Sequence, residues 1–111
     1  MEIKLNKVNT DLVIVRISGR FNIEEVISFE KAVNEVIEQT PKALSLDMSG
    51  LKYIDSSGIG SLIKAMNIAK NKNIDLVITD LDKEIMHIFK LAYLDRFFTI
   101  STQEEILKKF A

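Results

Sequence analysis

Hydrophobic residues in this chain follow two different spacings in turn, and this alternation constrains the fold more than any other feature. Short β-branched or alternating runs, which are typical of strands, fall at residues 3–8, 12–17, 43–48, 74–78 and 97–100. Segments with apolar residues three and four positions apart, which are typical of amphipathic helices, fall at residues 22–40, 56–72, 82–91 and 102–110. The predicted order is therefore β-β-α-β-α-β-α-β-α.

The order of the elements predicts how the strands pair. Asn9-Thr10-Asp11 supplies turn residues between the first two runs, which predicts an antiparallel hairpin, and Ser18-Gly19 is expected to end its second strand. Strands separated by helices should pair in parallel through right-handed crossovers. We therefore predict an α/β fold whose mixed β-sheet opens with an antiparallel hairpin, with about five strands and four helices, packed mainly on one face. Residues 1–111 contain no repeat or linker and are expected to form one domain.

Polar residues at the predicted helix starts have the side chains expected of N-caps. These caps are Asn22 in a capping box with Glu25, Asp80 or Asp82, and Thr102 in a capping box with Glu105. In the second helix, one apolar stripe should face the core. It consists of Ile59, Leu62, Ile63, Met66 and Ala69.

Composition excludes several classes of function. With 15 Lys plus Arg against 16 Asp plus Glu, the formal net charge of −1 lacks the basic footprint of a nucleic-acid-binding protein. No cysteine is present, which excludes disulfides, thiolate metal sites and cysteine nucleophiles. The single histidine, His87, has no second histidine or cysteine with which to hold a metal, so we expect no metal and no cofactor.

The same composition predicts where the protein resides. No apolar run approaches the roughly 18 residues of a membrane span, and no basic start with an apolar stretch marks a signal peptide. A chain without cysteine also suits a reducing compartment. We therefore expect a cytoplasmic protein with no membrane insertion.

The segment most informative about function joins the third strand to the second helix. Asp55, Ser56, Ser57, Gly58 and Gly60 crowd the first turn, where free backbone N–H groups and the helix dipole favour negative charge. The residues alone allow three interpretations. The first is structural, with Asp55 or Ser56 as the N-cap and with Gly58 and Gly60 for close packing on the sheet; the others are a phosphate-binding loop and a serine that is covalently modified. The phosphate-binding loop lacks both G-x-x-x-x-G-K-[ST] and G-x-G-x-x-G, while the other two interpretations stay open.

This segment resembles the signature of the STAS domain, and in particular that of bacterial anti-sigma factor antagonists. The resemblance is carried by an aliphatic strand at residues 44–48 followed by Ile54-Asp55-Ser56-Ser57-Gly58-Ile59-Gly60. It extends over the chain, since the hairpin ending in Ser18-Gly19, the length and the order of elements also agree. The resemblance implies a STAS-like fold and a protein-binding switch that is not an enzyme.

Anti-sigma factor antagonists, as a family, bind an anti-sigma factor that has serine kinase activity, and this binding frees the sigma factor. The resemblance implies that the kinase phosphorylates Ser56, with Ser57 as the alternative acceptor, and that a PP2C-type phosphatase reverses the step. The residues expected to contact the partner are Asp55, Ser56, Ser57, Gly58, Gly60, Ser61, Lys64, Arg20 and Asn22.

Two other functions compete with this one. The nearer alternative is a STAS module of another regulatory assembly, such as a stress-signalling complex or a lipid-transport component. The more distant alternative is a small enzyme or nucleotide-binding domain. The chain offers it no nucleophile–base pair, because the lone His87 is far along the sequence from the serine pair.

Two details of the sequence bear on how a phosphate switch would work. Where the family often has an acidic residue after the second strand, this chain has Asn22, which keeps the capping ability but loses the charge. No arginine lies between Phe21 and Tyr93, so no guanidinium close in sequence could clamp a phosphate on Ser56. We therefore expect phosphorylation to block the partner surface through charge, bulk and desolvation.

Overall fold

Apart from one additional helical turn, strands and helices follow one another in the order that the hydrophobic spacing predicts. The computed structural model describes residues 1–111. Its strands are β1 (Glu2–Lys7), β2 (Leu12–Phe21), β3 (Ala43–Ile54), β4 (Asp75–Thr79) and β5 (Thr99–Ser101). Its α-helices are α1 (Val26–Glu38), α2 (Ser56–Asn71), α3 (Lys83–Leu91), α4 (Leu94–Phe97) and α5 (Gln103–Phe110), and a 3₁₀ turn (Ile23–Glu25) precedes α1. Because α4 is a single turn, the prediction of about five strands and four helices is confirmed.

The five strands form one mixed sheet in the order β1-β2-β3-β4-β5. β1 pairs antiparallel with β2, and the other three pairs of strands are parallel. This confirms the predicted hairpin followed by parallel crossovers. Because β2, β3 and β4 run in the same direction, their C-terminal ends meet at one edge of the sheet, called here the carboxyl edge. The 3₁₀ turn, α2 and α3 all start at this edge.

Alternate residues of the central strands enter two separate hydrophobic clusters. Val13, Val15 and Ile17 of β2 belong to the main core, to which α1, α2, α3 and α4 also contribute. Leu12 and Ile14 point to the other face of the sheet, where α5 packs on them. The two-residue period of the strand thus places four helices on one face and α5 on the other. The prediction that the helices pack mainly on one face is confirmed.

β2 and β3 are longer than their hydrophobic runs predict. Ser18-Gly19 lies inside β2, and β3 continues past residue 48 to Ile54. The register between the two strands shifts at this level, where Gly19 has a φ of +96° and Gly50 pairs with Ser18. A Cβ on Gly50 would lie only 2.6 Å from the Ser18 Cβ, so the close approach requires glycine. Gly19 and Gly50 belong to irregularities in continuous strands, and the prediction that Ser18-Gly19 ends β2 was wrong.

The first long helix begins later than its predicted N-cap. The Asn22 side chain accepts a hydrogen bond from the Glu24 amide at 3.0 Å, so Asn22 caps the 3₁₀ turn rather than α1. Glu25 does not complete a capping box, because its carboxylate lies 3.3 Å from the amino group of Met1. The predicted helix from Asn22 was therefore wrong at this end. Three residues in the tighter 3₁₀ geometry come before the regular helix begins at Val26.

The C-terminal part of the chain contains a helical turn that the hydrophobic spacing missed. α4 occupies residues 94–97, and β5 is limited to Thr99–Ser101, so the strand predicted at 97–100 began too early. Leu94 and Phe98 are both buried in the main core. Because residues four apart lie on one side of a helix, a helical turn brings both side chains to the core. The strand propensity of Phe97 and Phe98 did not indicate this turn.

The other predicted N-caps, Asp82 and Thr102, are present, but the capping box predicted for Thr102 is incomplete. Asp82 accepts a hydrogen bond from the Ile85 amide at 2.9 Å, and Thr102 accepts one from the Glu105 amide at 3.2 Å. The Glu105 carboxylate accepts from the Ser101 hydroxyl at 2.7 Å. The second capping box is thus half formed, because its acidic side chain has a different donor.

The buried face of α2 agrees only in part with the predicted stripe. Leu62 and Ala69 are buried as predicted, whereas Ile59, Ile63 and Met66 pack against the main core but are only half-buried. The buried residues are Gly58, Ser61, Leu62, Ala65 and Ala69. Most of them are small, and small residues at a contact allow a helix to pack closely against its neighbours.

None of the helices in the structure combines the length and the apolar character that crossing a membrane requires.

Candidate functional site

The end of β2 and the start of α2 are in direct contact at the carboxyl edge. The Asp55 amide donates a hydrogen bond to the Phe21 carbonyl oxygen at 3.2 Å. In the first turn of α2, a Cβ on Gly58 would lie 2.9 Å from the same oxygen and 2.8 Å from Cγ1 of Ile54. The absence of a side chain at Gly58 thus allows α2 to start directly against the end of β2.

Asp55 is the N-cap of α2, as the structural interpretation of the segment expects. Its Oδ1 accepts hydrogen bonds from the Ser57 amide at 3.0 Å, the Gly58 amide at 3.1 Å and the Ser57 hydroxyl at 2.9 Å. The hydrogen bond from the Gly58 amide holds the pKa of the Asp55 carboxyl below its ordinary value of 3.8. Desolvation raises the pKa, but the hydrogen bonds from Ser57 lower it further, and the lowering effect is the larger one. Its other oxygen, Oδ2, accepts no hydrogen bond from the chain.

We expect Asp55 to stabilise the fold in a pH-dependent manner. Since the pKa of Asp55 is lower in the folded than in the unfolded state, the stabilisation is present above the ordinary value of 3.8 and is lost as the pH falls through the folded-state pKa. An Asp55→Asn variant keeps an acceptor for the N-cap but has no charge to lose. Urea denaturation from about pH 7 to about pH 3 should therefore show the advantage of wild type over the variant shrinking at the acidic end. An advantage that stays constant or grows there would contradict the prediction.

The two serines of the segment differ in the freedom of their hydroxyl groups. The Ser57 hydroxyl is half-buried and donates to Asp55, whereas the Ser56 side chain is exposed and makes no hydrogen bond within the chain. Ser56 is the first residue of α2, so it lies at the positive end of the helix dipole. Of the two serines, Ser56 is thus the accessible one.

The other residues of α2 that were expected to contact a partner are not all at the surface. Gly60 and Lys64 are exposed. Gly58 is buried against β2, and Ser61 is only 4% exposed, in the contact between α1 and α2. Contrary to the expectation from sequence, Gly58 and Ser61 therefore present no surface to a partner.

Arg20 projects from the face of the sheet opposite to the main core, against which α2 packs. Phe21 packs in the main core, with its ring centroid 4.8 Å from that of Phe29 in α1. Because successive strand residues point to opposite faces, Arg20 lies on the α5 side of the sheet, where its guanidinium stacks 4.0 Å from the centroid of the Tyr53 ring. The structure thus does not bring Arg20 together with the α2 residues, contrary to the expectation from sequence.

The lysines that flank the serine pair in the sequence already have acidic partners. Lys52 lies 3.7 Å from the Asp82 carboxylate, and Lys64 lies 3.4 Å from that of Glu30. A phosphate on Ser56 would therefore be supported by the helix N-terminus rather than by a cationic clamp.

The surface around Ser56 contains no pocket. The largest cleft, of about 670 Å³, lies at the opposite edge of the sheet, beside the end of α2 and the start of β4. His87 lines a smaller cleft of about 300 Å³ on α3. No three His, Asp or Glu side chains converge where a metal ion could bind. Ser56 thus lies on an open surface, whereas sites for small molecules are concave.

Two exposed isoleucines near this surface were missed in the sequence. Ile23 in the 3₁₀ turn is 71% exposed and Ile27 in α1 is 81% exposed, more than any other large hydrophobic residue of the chain. The only signal for them is that Ile27 falls outside the three- and four-residue spacing set by the core residues Phe29 and Val33. An aliphatic residue beside an apolar stripe is easily taken for part of it.

Comparison with known proteins places these features in a family. The chain matches the family model of the STAS domain over residues 4–106. A STAS-domain containing protein of Pseudomonas aeruginosa (strain UCBPP-PA14) is 26% identical to it over 87 residues, which cover 78% of this chain and 85% of that protein.

Solved structures of similar fold include two anti-sigma factor antagonists. Bacillus SpoIIAA in its unphosphorylated form has a TM-score of 0.81 at 17% identity, covering 97% of this chain and 95% of that one. An anti-sigma factor antagonist from Mycobacterium paratuberculosis has a TM-score of 0.80 at 20% identity, covering 98% and 92%. A sulfate transporter family protein from Wolinella succinogenes has a TM-score of 0.71 at 20% identity, covering 88% and 83%. The match to the family model over nearly the whole length shows that this chain belongs to the STAS domain family.

Proposed function

We propose that this protein is an anti-sigma factor antagonist that acts in the cytoplasm as a binding partner and not as an enzyme. In its unphosphorylated form it binds an anti-sigma factor with serine kinase activity and so releases the sigma factor. Phosphorylation of Ser56 ends the binding, and a PP2C-type phosphatase restores it. The observation that carries this proposal is the exposed, unbonded hydroxyl of Ser56 at the start of α2. The fold alone does not select the function, since a sulfate transporter family protein shares it.

The geometry favours Ser56 over Ser57 as the acceptor. A kinase must place the acceptor hydroxyl in line with the γ-phosphate of ATP, which requires an accessible hydroxyl group that is free to reorient. The Ser57 hydroxyl donates to Asp55 at 2.9 Å and would have to give up this bond. The Ser56 hydroxyl has no such bond to break.

A phosphate on Ser56 is compatible with the folded domain. It adds about −1.5 to −2 charges at neutral pH. Negative charge in the first turn of a helix is favourable by about 0.3–1 kcal/mol, so we expect the domain to stay folded. SpoIIAA, for comparison, has been solved in a phosphorylated form, which superposes on this chain with a TM-score of 0.75.

The phosphate would block binding at the interface itself. Because the acceptor hydroxyl faces the nucleotide during transfer, a phosphoserine at this position faces the phosphates that remain on the bound nucleotide. Like charges brought together across an interface cost several kcal/mol, and each 1.4 kcal/mol is tenfold in affinity. A small covalent change on an open surface thus suffices as a switch.

The direct test is phosphorylation in vitro. The protein is incubated with ATP and with each purified kinase-type anti-sigma factor of its organism, and the intact mass is recorded. We expect one phosphate on wild type and on Ser57→Ala, and none on Ser56→Ala. Phosphate addition to Ser56→Ala at the wild-type level would disprove the assignment of the site. No addition to wild type with any of these kinases would contradict the proposed function.

A further inference from the structure

Ile23 and Ile27, called here the isoleucine pair, are apolar side chains that the fold itself does not use. Ile23 lies in the 3₁₀ turn and Ile27 in the first turn of α1, four residues apart on one continuous helical segment. At 71% and 81% exposure they are the two most exposed large hydrophobic residues of the chain. Single exposed apolar side chains are common, and two on one short segment offer an apolar contact to another molecule.

The isoleucine pair lies alongside the start of α2. Both α1 and α2 start at the carboxyl edge and pack side by side, and the 3₁₀ turn also contacts α2. The Lys64 ammonium of α2 lies 3.4 Å from the Glu30 carboxylate of α1, so these two positions are at a similar level. About one turn back toward the carboxyl edge, Ile27 is level with Gly60.

Ile23 lies nearer still to the carboxyl edge, in the 3₁₀ turn that contacts α2. A Cβ at Gly60 would meet no atom within 4 Å, so this position of α2 faces open space. Glycine is less favourable than alanine in a helix interior, and packing gives no reason for it at this position. The bare backbone at Gly60 allows another molecule to approach this part of α2 closely.

Two unpaired charges of opposite sign lie next to the isoleucine pair. Glu24, which lies between the two isoleucines in the sequence, and Lys31, one turn after Ile27 in α1, are both exposed and make no ion pair. The charges around the pair thus balance, and the feature that a partner would recognise is the apolar pair itself. Its complement is an apolar groove on another protein.

We propose that Ile23 and Ile27 anchor the docking of the same kinase-type anti-sigma factor that acts on Ser56, by entering an apolar groove on that protein. This inference rests on the proposed function and names the side chains that supply the affinity. The anchor and the phosphate acceptor are neighbouring but separate, so that binding strength and switching depend on different residues.

The test measures the dissociation constant of Ile23→Ala and of Ile27→Ala for the purified anti-sigma factor that phosphorylates wild type. Leu91→Ala is the matched control, because Leu91 is an aliphatic residue, 69% exposed, at the end of α3 away from the carboxyl edge. Each isoleucine variant should raise Kd about tenfold or more with an unchanged melting temperature, since a buried aliphatic side chain contributes that much affinity. The Leu91 variant should bind like wild type, and Ile27→Leu should recover most of the lost affinity.

Three outcomes would overturn the anchor. Wild-type affinity of both isoleucine variants, with normal phosphorylation of Ser56, would exclude the anchor and leave the proposed function intact. Conversion of a wild-type dimer into a monomer, without loss of kinase affinity, would assign the isoleucines to self-association. If no anti-sigma factor of the organism binds or phosphorylates the wild type, the proposed function and the anchor fall together.

Discussion

A Gly58→Ala variant is expected to lose about 2 kcal/mol of its free energy of unfolding. The added Cβ would lie 2.8 Å from Cγ1 of Ile54 and 2.9 Å from the Phe21 carbonyl oxygen, both inside van der Waals contact. The carbonyl oxygen moves only if β2 moves, and β2 is held between β1 and β3. Such overpacking typically costs about 1–3 kcal/mol and outweighs the higher helix propensity of alanine, which amounts to about 1 kcal/mol. Urea denaturation measures the difference.

Gly60→Ala is the matched control, because it is the same change two residues further along the same helix. A Cβ at Gly60 would meet nothing within 4 Å, so only the helix propensity changes. We expect a gain of about 0.5–1 kcal/mol in the free energy of unfolding. If both variants shift stability by the same amount in the same direction, close packing at Gly58 does not explain why that position lacks a side chain.

The two glycines illustrate how much of this site could be predicted from sequence. The spacing of residues 55–60 correctly predicted a helix start with Asp55 or Ser56 as its cap, because capping depends on residues close together in the chain, and the structure shows that the cap is Asp55. It did not separate Gly58 from Gly60, because the difference lies in Phe21, which is distant in sequence. The assignment of a glycine to packing or to open surface needs the tertiary structure.

The prediction made from the glycine in β2 was wrong for a related reason. Ser18-Gly19 was predicted to end β2, but the same residues form an irregularity opposite Gly50, where β2 and β3 change register. Glycine marks a strand end and a bulge alike in a single sequence, and only the pairing partner distinguishes them. The continuation of β2 to Phe21 then determines which face each of its last residues occupies, and this places Arg20 away from Ser56.

Hydrophobicity predicted only part of the face that α2 buries, namely Leu62 and Ala69. Ile59, Ile63 and Met66 are more hydrophobic than Ser61 and Ala65, yet the smaller residues are buried. α2 packs against both α1 and the sheet, and close approach on two sides favours small side chains over large ones.

Ser56→Glu is expected to lower the affinity for the kinase-type anti-sigma factor by about 100-fold or more, while the melting temperature barely changes. The carboxylate would stand where the acceptor hydroxyl faces the nucleotide, and repulsion from the nucleotide phosphates would oppose binding. In the free protein the same carboxylate lies in the first turn of α2, where the helix dipole favours it by about 0.3–1 kcal/mol. Isothermal titration calorimetry with the purified partner measures the affinity, and thermal denaturation measures the stability.

Ser56→Gln separates charge from bulk in this prediction, because glutamine has nearly the shape of glutamate without its charge. If repulsion dominates, Ser56→Gln binds much better than Ser56→Glu, and the smaller Ser56→Ala binds about as well as wild type. Equal losses for glutamine and glutamate would show instead that the interface leaves no room for a larger side chain. Wild-type affinity of Ser56→Glu would exclude Ser56 as the switch. A large fall in its melting temperature would mean that the start of α2 tolerates only a small residue, and the structural interpretation of the segment would then be the better one.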